Sequence, residues 1–277
     1  MDIRLIAMDL DGTTLQQDHC SFSPGLLTAL EQAHDKGVLI VPVTGRQVGL
    51  LPPVLRQQHP WKKLAILCNG GQIRNLNTGE MLHSLEIDHA ALRQLLVLAE
   101  EFSLPVEFSM DSKLYLTSKS LEQQLPHPNL VFHRDVILAR HGVIVPSLKP
   151  MCACHIEKVN LLCIPGELGQ TLELRLREIA VSAVWASSSS MEITHPEATK
   201  GNGLRQLCKI LDIPMSAVMA LGDSGNDITM LQQAGLGVAM GNAPDFVKAA
   251  ADVCALPYDE DGAAKAIEQY ILNSKGG

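Results

Sequence analysis

The chain has 277 residues, enough for one large domain or two smaller ones, and 46% of them are hydrophobic, enough to build a full core. A net charge of −8 argues against a general polyanion-binding surface, and 4% aromatic residues argue against base-stacking nucleic-acid modules. No apolar run reaches the roughly 18 residues that span a bilayer, no signal-like segment precedes Asp9, and seven scattered cysteines make an odd count; a cytoplasmic protein with reduced thiols and no membrane or nucleic-acid partner is expected.

Residues 3–8 form a short apolar run that reads as a buried strand. It ends at Asp9-Leu10-Asp11-Gly12-Thr13, two carboxylates where the chain turns. Ligands of open α/β sheets bind at the carboxyl ends of strands. A carboxylate there can attack phosphorus, a second can handle the proton, and the pair can hold Mg²⁺. Taken alone, the pentapeptide also fits an ordinary turn rich in Asp and Gly. Ser23-Pro24 then marks a helix start, and the helix runs to about residue 36, with Gly37 as its C-terminal cap. Residues 38–43 read as a strand ending in Thr44-Gly45-Arg46, and 64–67 as another ending in Cys68-Asn69-Gly70-Gly71. Strands separated by helices imply a parallel sheet with right-handed crossovers.

The middle of the chain differs in style. Helices are expected over 88–102 and 167–179, with short strands at 106–108, 113–117, 159–164 and 184–186. This predicts a separate α+β unit over 83–190, with His83-Ser84 as one crossing and Ser187-Ser188-Ser189-Ser190 as a hinge or linker. Cys152-Ala153-Cys154-His155 lacks a second pair at zinc-site spacing, so packed thiols are expected there. Asp111, Lys113, Tyr115, His155 and Lys158 are candidates to touch a substrate, though each also fits a plain surface position. The last section alternates again: a helix over 200–211, a strand over 218–221 ending in Gly222-Asp223, a helix over 226–234, a strand over 236–240, and helices over 244–250 and 262–273. Residues 1–82 and 191–277 should therefore form one α/β, Rossmann-like core.

Four sites fall at strand ends or helix starts of that core: Asp9 with Asp11, Thr44 with Gly45, Lys200, and Asp223 with Asn226 and Asp227. Each alone is weak. Together they supply what phosphoryl transfer needs, a nucleophile and positive charge around the equatorial oxygens. Asp9, Asp11 and Asp223 make a hard oxygen site suited to Mg²⁺. Lys200 offsets phosphoryl charge, the Thr44 hydroxyl and nearby N–H groups can donate to its oxygens, and Asp227 can orient Lys200 or a metal-bound water.

Asp9-Leu10-Asp11-Gly12-Thr13, Thr44-Gly45-Arg46, Lys200-Gly201 and Gly222-Asp223-Ser224-Gly225-Asn226-Asp227 resemble the four motifs of the haloacid dehalogenase superfamily. The chain is most similar to its Cof-type phosphatases, in which an α/β cap is inserted between the second and third motifs; Gly237-Val238-Ala239-Met240-Gly241-Asn242-Ala243 is a further phrase of that branch. The resemblance implies a core over 1–82 and 191–277 and a substrate-selecting cap over 83–190. It makes Asp9 the nucleophile and a metal ligand, Asp11 the general acid/base and a ligand through its carbonyl, and Asp223 the remaining ligand. The Leu10 N–H, Thr44, Gly45, Lys200 and Asn226 would hold the phosphoryl group. Thr14 and Ser224-Gly225 depart from the commonest pattern without touching a catalytic role. The expected activity is Mg²⁺-dependent hydrolysis of a small phosphorylated metabolite (a sugar phosphate, nucleotide or phosphorylated cofactor) by a monomer or homo-oligomer. A phosphomutase or phosphotransferase using the same intermediate, or a regulatory protein that kept the fold, are the alternatives.

Overall fold

Leu5-Ile6-Ala7-Met8 is buried on both faces, which is why it reads as a continuous apolar run and not as an alternating one. In the computed structural model, which describes residues 2–131 and 133–273, this strand lies inside a five-stranded parallel sheet, one place in from its edge. The order across the sheet is Val253–Cys254, Leu236–Ala239, Val218–Gly222, Leu5–Met8, Leu39–Pro42. The strands Leu5–Met8 and Val218–Gly222, which precede the two acidic motifs, are direct neighbours, with Met8 opposite Leu221. Their carboxyl ends, and the residues that follow, therefore come together.

Helices cover the sheet where the sequence signals start and stop them. The helix Pro24–Asp35 has Ser23 as its N-cap, the hydroxyl accepting from the Leu26 N–H at 3.0 Å, and buries Leu26, Ala29, Leu30 and Ala33. The helix Lys200–Leu211 is capped by Thr199, which accepts from the Asn202 N–H at 3.1 Å. It buries Leu204, Leu207 and Cys208 in one cluster with Leu5, Ala7, Val41, Ile66, Val218 and Ala220. Each such leucine contributes about 1.5–3 kcal/mol of burial, and this packing fixes where the helix start delivers Lys200.

Leu64–Leu67 departs from the expected third parallel strand. It meets Leu39–Pro42 only through isolated parallel bridges, Ile40 with Lys62 and Val43 with Ile66. Its full ladder is antiparallel, with Gln72–Asn75, which in turn pairs with Met81–Ser84. The expected crossing at His83-Ser84 is the end of this last strand.

The chain divides into two units, one of residues up to Arg46, Leu51–Ser84 and the chain from Thr199 onward, the other of Gln47–Leu50 and Leu85–Ala198. The second holds a six-stranded sheet ordered Ser182–Ser187, Ser190–Thr194, Lys158–Leu161, Val106–Met110, Lys113–Leu116, Gly142–Ile144. Its pairs are antiparallel except the last, which is parallel. The helices His89–Glu101 and Gly169–Leu176 bury Leu92, Leu95, Leu172 and Leu176 against Phe108, Val159, Leu161 and Ile193. The serine run, expected as a linker, is the turn of a hairpin: Ser182–Ser187 pairs with Ser190–Thr194, and the Ser187 and Ser190 hydroxyls are 2.6 Å apart. Serine supplies turns as readily as linkers, and composition alone does not separate the two. No helix among the described residues is long and apolar enough to cross a membrane.

Candidate active site

Asp9 follows the strand Leu5–Met8, and its N–H donates to the Leu221 carbonyl at 3.0 Å, a continuation of the strand register that fixes the residue in place. Thr14 Oγ1 donates to the Asp9 carbonyl at 2.6 Å, and the Leu10 carbonyl accepts from the N–H groups of Thr14 and Leu15. The chain thus folds back at once, through Gly12 at φ +78°, where a Cβ would run into the Asp223 carboxylate. Gly222 plays the same part on the neighbouring strand: a Cβ there would meet the Asp227 side chain at 2.5 Å.

Lys200, at the start of its helix, is almost wholly buried and joins the two motifs. Its Nζ donates to Asp9 Oδ1 at 2.5 Å and to Asp227 Oδ1 at 2.6 Å. The other oxygen of Asp227 accepts from the N–H groups of Asp223 at 3.0 Å and Ser224 at 2.9 Å. Thr13 Oγ1 donates to Asp223 Oδ1 at 2.9 Å, and Asn242 Nδ2 donates to the Gly12 carbonyl at 2.9 Å. Asp9, Asp223 and Asp227 each present a carboxylate oxygen within 4.8 Å of the others.

Three carboxylates here share one ammonium. Burial pushes the Asp9 carboxyl well above its ordinary range, and repulsion from Asp227 and Asp223 adds to it against the pull of Lys200. Burial and the Asp227 charge raise Asp223 to about 6. Burial opposes the charge on Lys200, but the two carboxylates outweigh it and hold the ammonium firmly protonated. A site with this excess of hard oxygen donors fits a divalent cation, which would relieve the repulsion between Asp9 and Asp223.

Asp11 faces elsewhere. Its carboxylate takes a forked contact from Arg46, Nε at 2.8 Å and a terminal nitrogen at 2.5 Å, and lies 3.0 Å from His19 Nδ1. Burial pushes this carboxyl up, but Arg46 and then His19 outweigh it and hold it below the ordinary carboxylate range. Thr44 is buried beside this pair, its N–H donating to the Ile66 carbonyl at 2.9 Å and its Oγ1 accepting from the Arg46 N–H at 3.2 Å. Gly45 stands between them in the same short loop. Asn226 turns its Nδ2 to Asn69 Oδ1 at 3.0 Å and accepts from Ser224 Oγ at 2.6 Å.

All the motif residues thus lie in the first unit, at the ends of adjacent strands or the start of the buried helix. Sequence reasoning gave no role to Arg46, His19, Thr13, Asn242 or Asn69. Arg46, Thr13 and Asn242 lie inside motifs already singled out and Asn69 in the strand-end segment 68–71, whereas His19 carries no signal of its own. Among the residues of the second unit, His155 pairs with Glu86 and Lys158 with Glu192. All seven cysteines are free.

A parallel sheet with acidic loops at adjacent strand ends, a buried lysine between them and a second α+β unit defines a haloacid dehalogenase-type hydrolase. The chain belongs to this family: residues 6–267 match the model of the haloacid dehalogenase-like hydrolases. It is 31% identical to the 5-amino-6-(5-phospho-D-ribitylamino)uracil phosphatase of Bacillus subtilis, over 98% of this chain and 97% of the relative. It is 27% identical to the pyridoxal phosphate phosphatase of Escherichia coli, over 98% and 100% of the two chains. A solved haloacid dehalogenase-like hydrolase from B. subtilis superimposes with a TM-score of 0.82 at 27% identity, over 97% and 100% of the chains. The protein is a Cof-type member of the family and a phosphatase.

Proposed function

We propose that the protein is a Mg²⁺-dependent phosphatase that hydrolyses small phosphorylated metabolites through a phosphorylated Asp9. The observation that carries this reading is the buried Asp9–Lys200–Asp227 triad at the carboxyl ends of the adjacent strands Leu5–Met8 and Val218–Gly222. An Asp9 oxygen attacks phosphorus, the P–O bond to the substrate breaks, and Asp11 gives its proton to the departing alkoxide. A water then attacks the phosphoryl group, the bond to Asp9 breaks, and the water's proton returns to Asp11. Lys200, Thr44, Asn226 and the N–H groups of Leu10 and Gly45 hold the phosphoryl oxygens. Asp9, Asp223 and the Asp11 carbonyl would hold Mg²⁺, which when bound offsets phosphoryl charge and orients the group. Asp227 positions Lys200 and the Asp223 loop. In its acid role Asp11 has to carry a proton, so its carboxyl must leave the Arg46 fork during the cycle.

Relatives that act on a phosphoribitylaminouracil and on pyridoxal phosphate favour a phosphorylated cofactor or cofactor precursor as substrate. The second unit, over Leu85–Ala198, acts in this reading as the cap that selects the leaving group. Incubation with a panel of phosphorylated cofactors, sugars and nucleotides, with inorganic phosphate as the readout, tests it. Phosphate release that needs Mg²⁺ and stops with Asp9→Asn supports the reading. Transfer of the phosphoryl group to an acceptor without release would show a phosphotransferase instead.

A further inference from the structure

The loop after Leu64–Leu67 has an unusual backbone. Cys68, Asn69 and Gly70 all lie in the left-handed region, at φ 51°, 55° and 102°. Two successive non-glycine residues there cost about 1–2 kcal/mol each, so the surroundings must hold them. The Cys68 N–H donates to the Arg46 carbonyl at 3.1 Å and the Asn69 N–H to the Thr44 carbonyl at 3.0 Å. Gly70 lies so close to the start of the lysine helix that a Cβ would overlap the Thr199 carbonyl. A Cβ on Gly203, one turn into that helix, would come within 2.7 Å of Gly70 Cα. Asn69 is itself buried, and its Oδ1 accepts from Asn226. One turn therefore touches three of the four segments assigned above to the phosphoryl oxygens, the Thr44 loop, the helix of Lys200 and Asn226, the fourth being the loop of Leu10.

We propose that Asn69 is a positioning residue for phosphoryl transfer, which sets the orientation of the Asn226 carboxamide. This rests on the reading that Asn226 contacts the phosphoryl group. A carboxamide has a donor end and an acceptor end of nearly equal shape. Turned one way Asn226 offers an N–H to an anion; turned the other it offers a carbonyl oxygen, which repels it. Asn69 Oδ1 accepts one Nδ2 hydrogen and Ser224 Oγ donates to Oδ1. The Asn69 contact selects the donor orientation, the Ser224 hydroxyl accommodates it, and the second Nδ2 hydrogen is left for the ligand. The left-handed turn aims the Asn69 side chain at Asn226 while its own N–H ties it to the Thr44 loop, so donors from separate strands keep one spacing.

A double-mutant cycle tests the proposal, with p-nitrophenyl phosphate as substrate and inorganic phosphate as a competitive ligand. Asn69→Gly removes the acceptor and keeps a backbone that suits positive φ; Asn69→Asp keeps the acceptor. Asn226→Ala and Asn69→Gly should each lower kcat/KM by roughly 10- to 100-fold and raise the Ki for phosphate. The double variant should be within about twofold of Asn226→Ala alone, because a residue acting through another has nothing left to orient. In the Asn69→Asp background, Asn226→Ala should again cost as much as in the wild type. If Asn226→Ala is damaging but the losses multiply, or Asn69→Gly is harmless, Asn69 is not a positioning residue while the phosphate role of Asn226 stands. If Asn226→Ala itself leaves kcat/KM and Ki unchanged, the phosphate role of Asn226 fails and the proposal falls with it. Should Asn69→Gly not fold, the Asn69→Asp arm decides: loss of the Asn226 effect there also overturns it.

Discussion

At the scale of single residues, charge balance dominates the site. Asp9→Asn removes the proposed nucleophile, and release of phosphate should fall by at least ~10³-fold. Lys200→Ala strips the one ammonium from a pocket with three carboxylates, and should cost on the order of 10²–10³ in rate; unchanged kinetics would make the lysine a spectator. The raised carboxyls also predict a pH dependence of stability. The Asp223 carboxyl goes from its ordinary 3.8 to about 6 on folding, and Asp9 shifts the same way. The folded state then holds protons that the unfolded chain has released, so stability falls as pH rises from about 4 through 6. For Asp223 this is at most about 3 kcal/mol. A divalent cation should cancel it, so 5 mM MgCl₂, roughly a saturating level for such sites, should raise Tm more at pH 7.5 than at pH 5. An equal or larger shift at pH 5 would contradict a carboxylate cation site. Asp11 has the opposite sign. Arg46→Gln should let its carboxyl rise, and the basic limb of the kcat/KM profile, where the acid loses its proton, should move to higher pH.

At the scale of elements, close approach of backbones sets the site. The lysine helix can reach Asp9 only because Gly201 and Gly203 let it press on Thr229 and on Gly70. Gly203→Ala should lift the helix off this turn, cost about 1–3 kcal/mol of stability in a urea titration, and weaken turnover through displaced Lys200. Retained stability and full activity would show that the contact yields cheaply. The elements that carry these motifs were legible in the sequence. Buried parallel strands leave continuous apolar runs, and the residues that follow them are acidic, glycine-rich or cap-forming, as at Asp9, Thr44 and Asp223. What escaped was less periodic. Gln72–Asn75 and Met81–Ser84 are short and mixed in polarity, so only the Asn77-Thr78-Gly79 turn between them marks the hairpin in the sequence. The serine hairpin looks like a linker until its partner strand is known. Contacts such as Arg46 with Asp11, 35 residues apart, or Asn69 with Asn226, 157 apart, are products of the sheet order and leave no local trace.

At the scale of the whole molecule, the proposed function assigns different work to the two units. Every group assigned to the phosphoryl oxygens, the proton and the cation belongs to the first unit. The second has its own core, built on Leu92, Leu95, Phe108, Val159 and Leu161, so it can fold as a body of its own. Its sheet extends through Ser190–Thr194, so a clean excision must run from Leu85 to Ala198 and not stop at the serine turn. A cut at residue 189 would leave the strand Ser190–Thr194 without either of its neighbours, exposing Met191 and Ile193. Joining Ser84 to Thr199 by a short Gly-Ser linker should keep the Asp9, Lys200 and Asp223 constellation. The shortened protein should bind Mg²⁺ and hydrolyse p-nitrophenyl phosphate, whose leaving group needs little help from an acid. Its kcat/KM values for phosphorylated cofactors, sugars and nucleotides should fall and converge, because the unit that distinguishes leaving groups is gone. Full-length selectivity in the excised protein would place the reading of the leaving group in the first unit and remove the case for a cap.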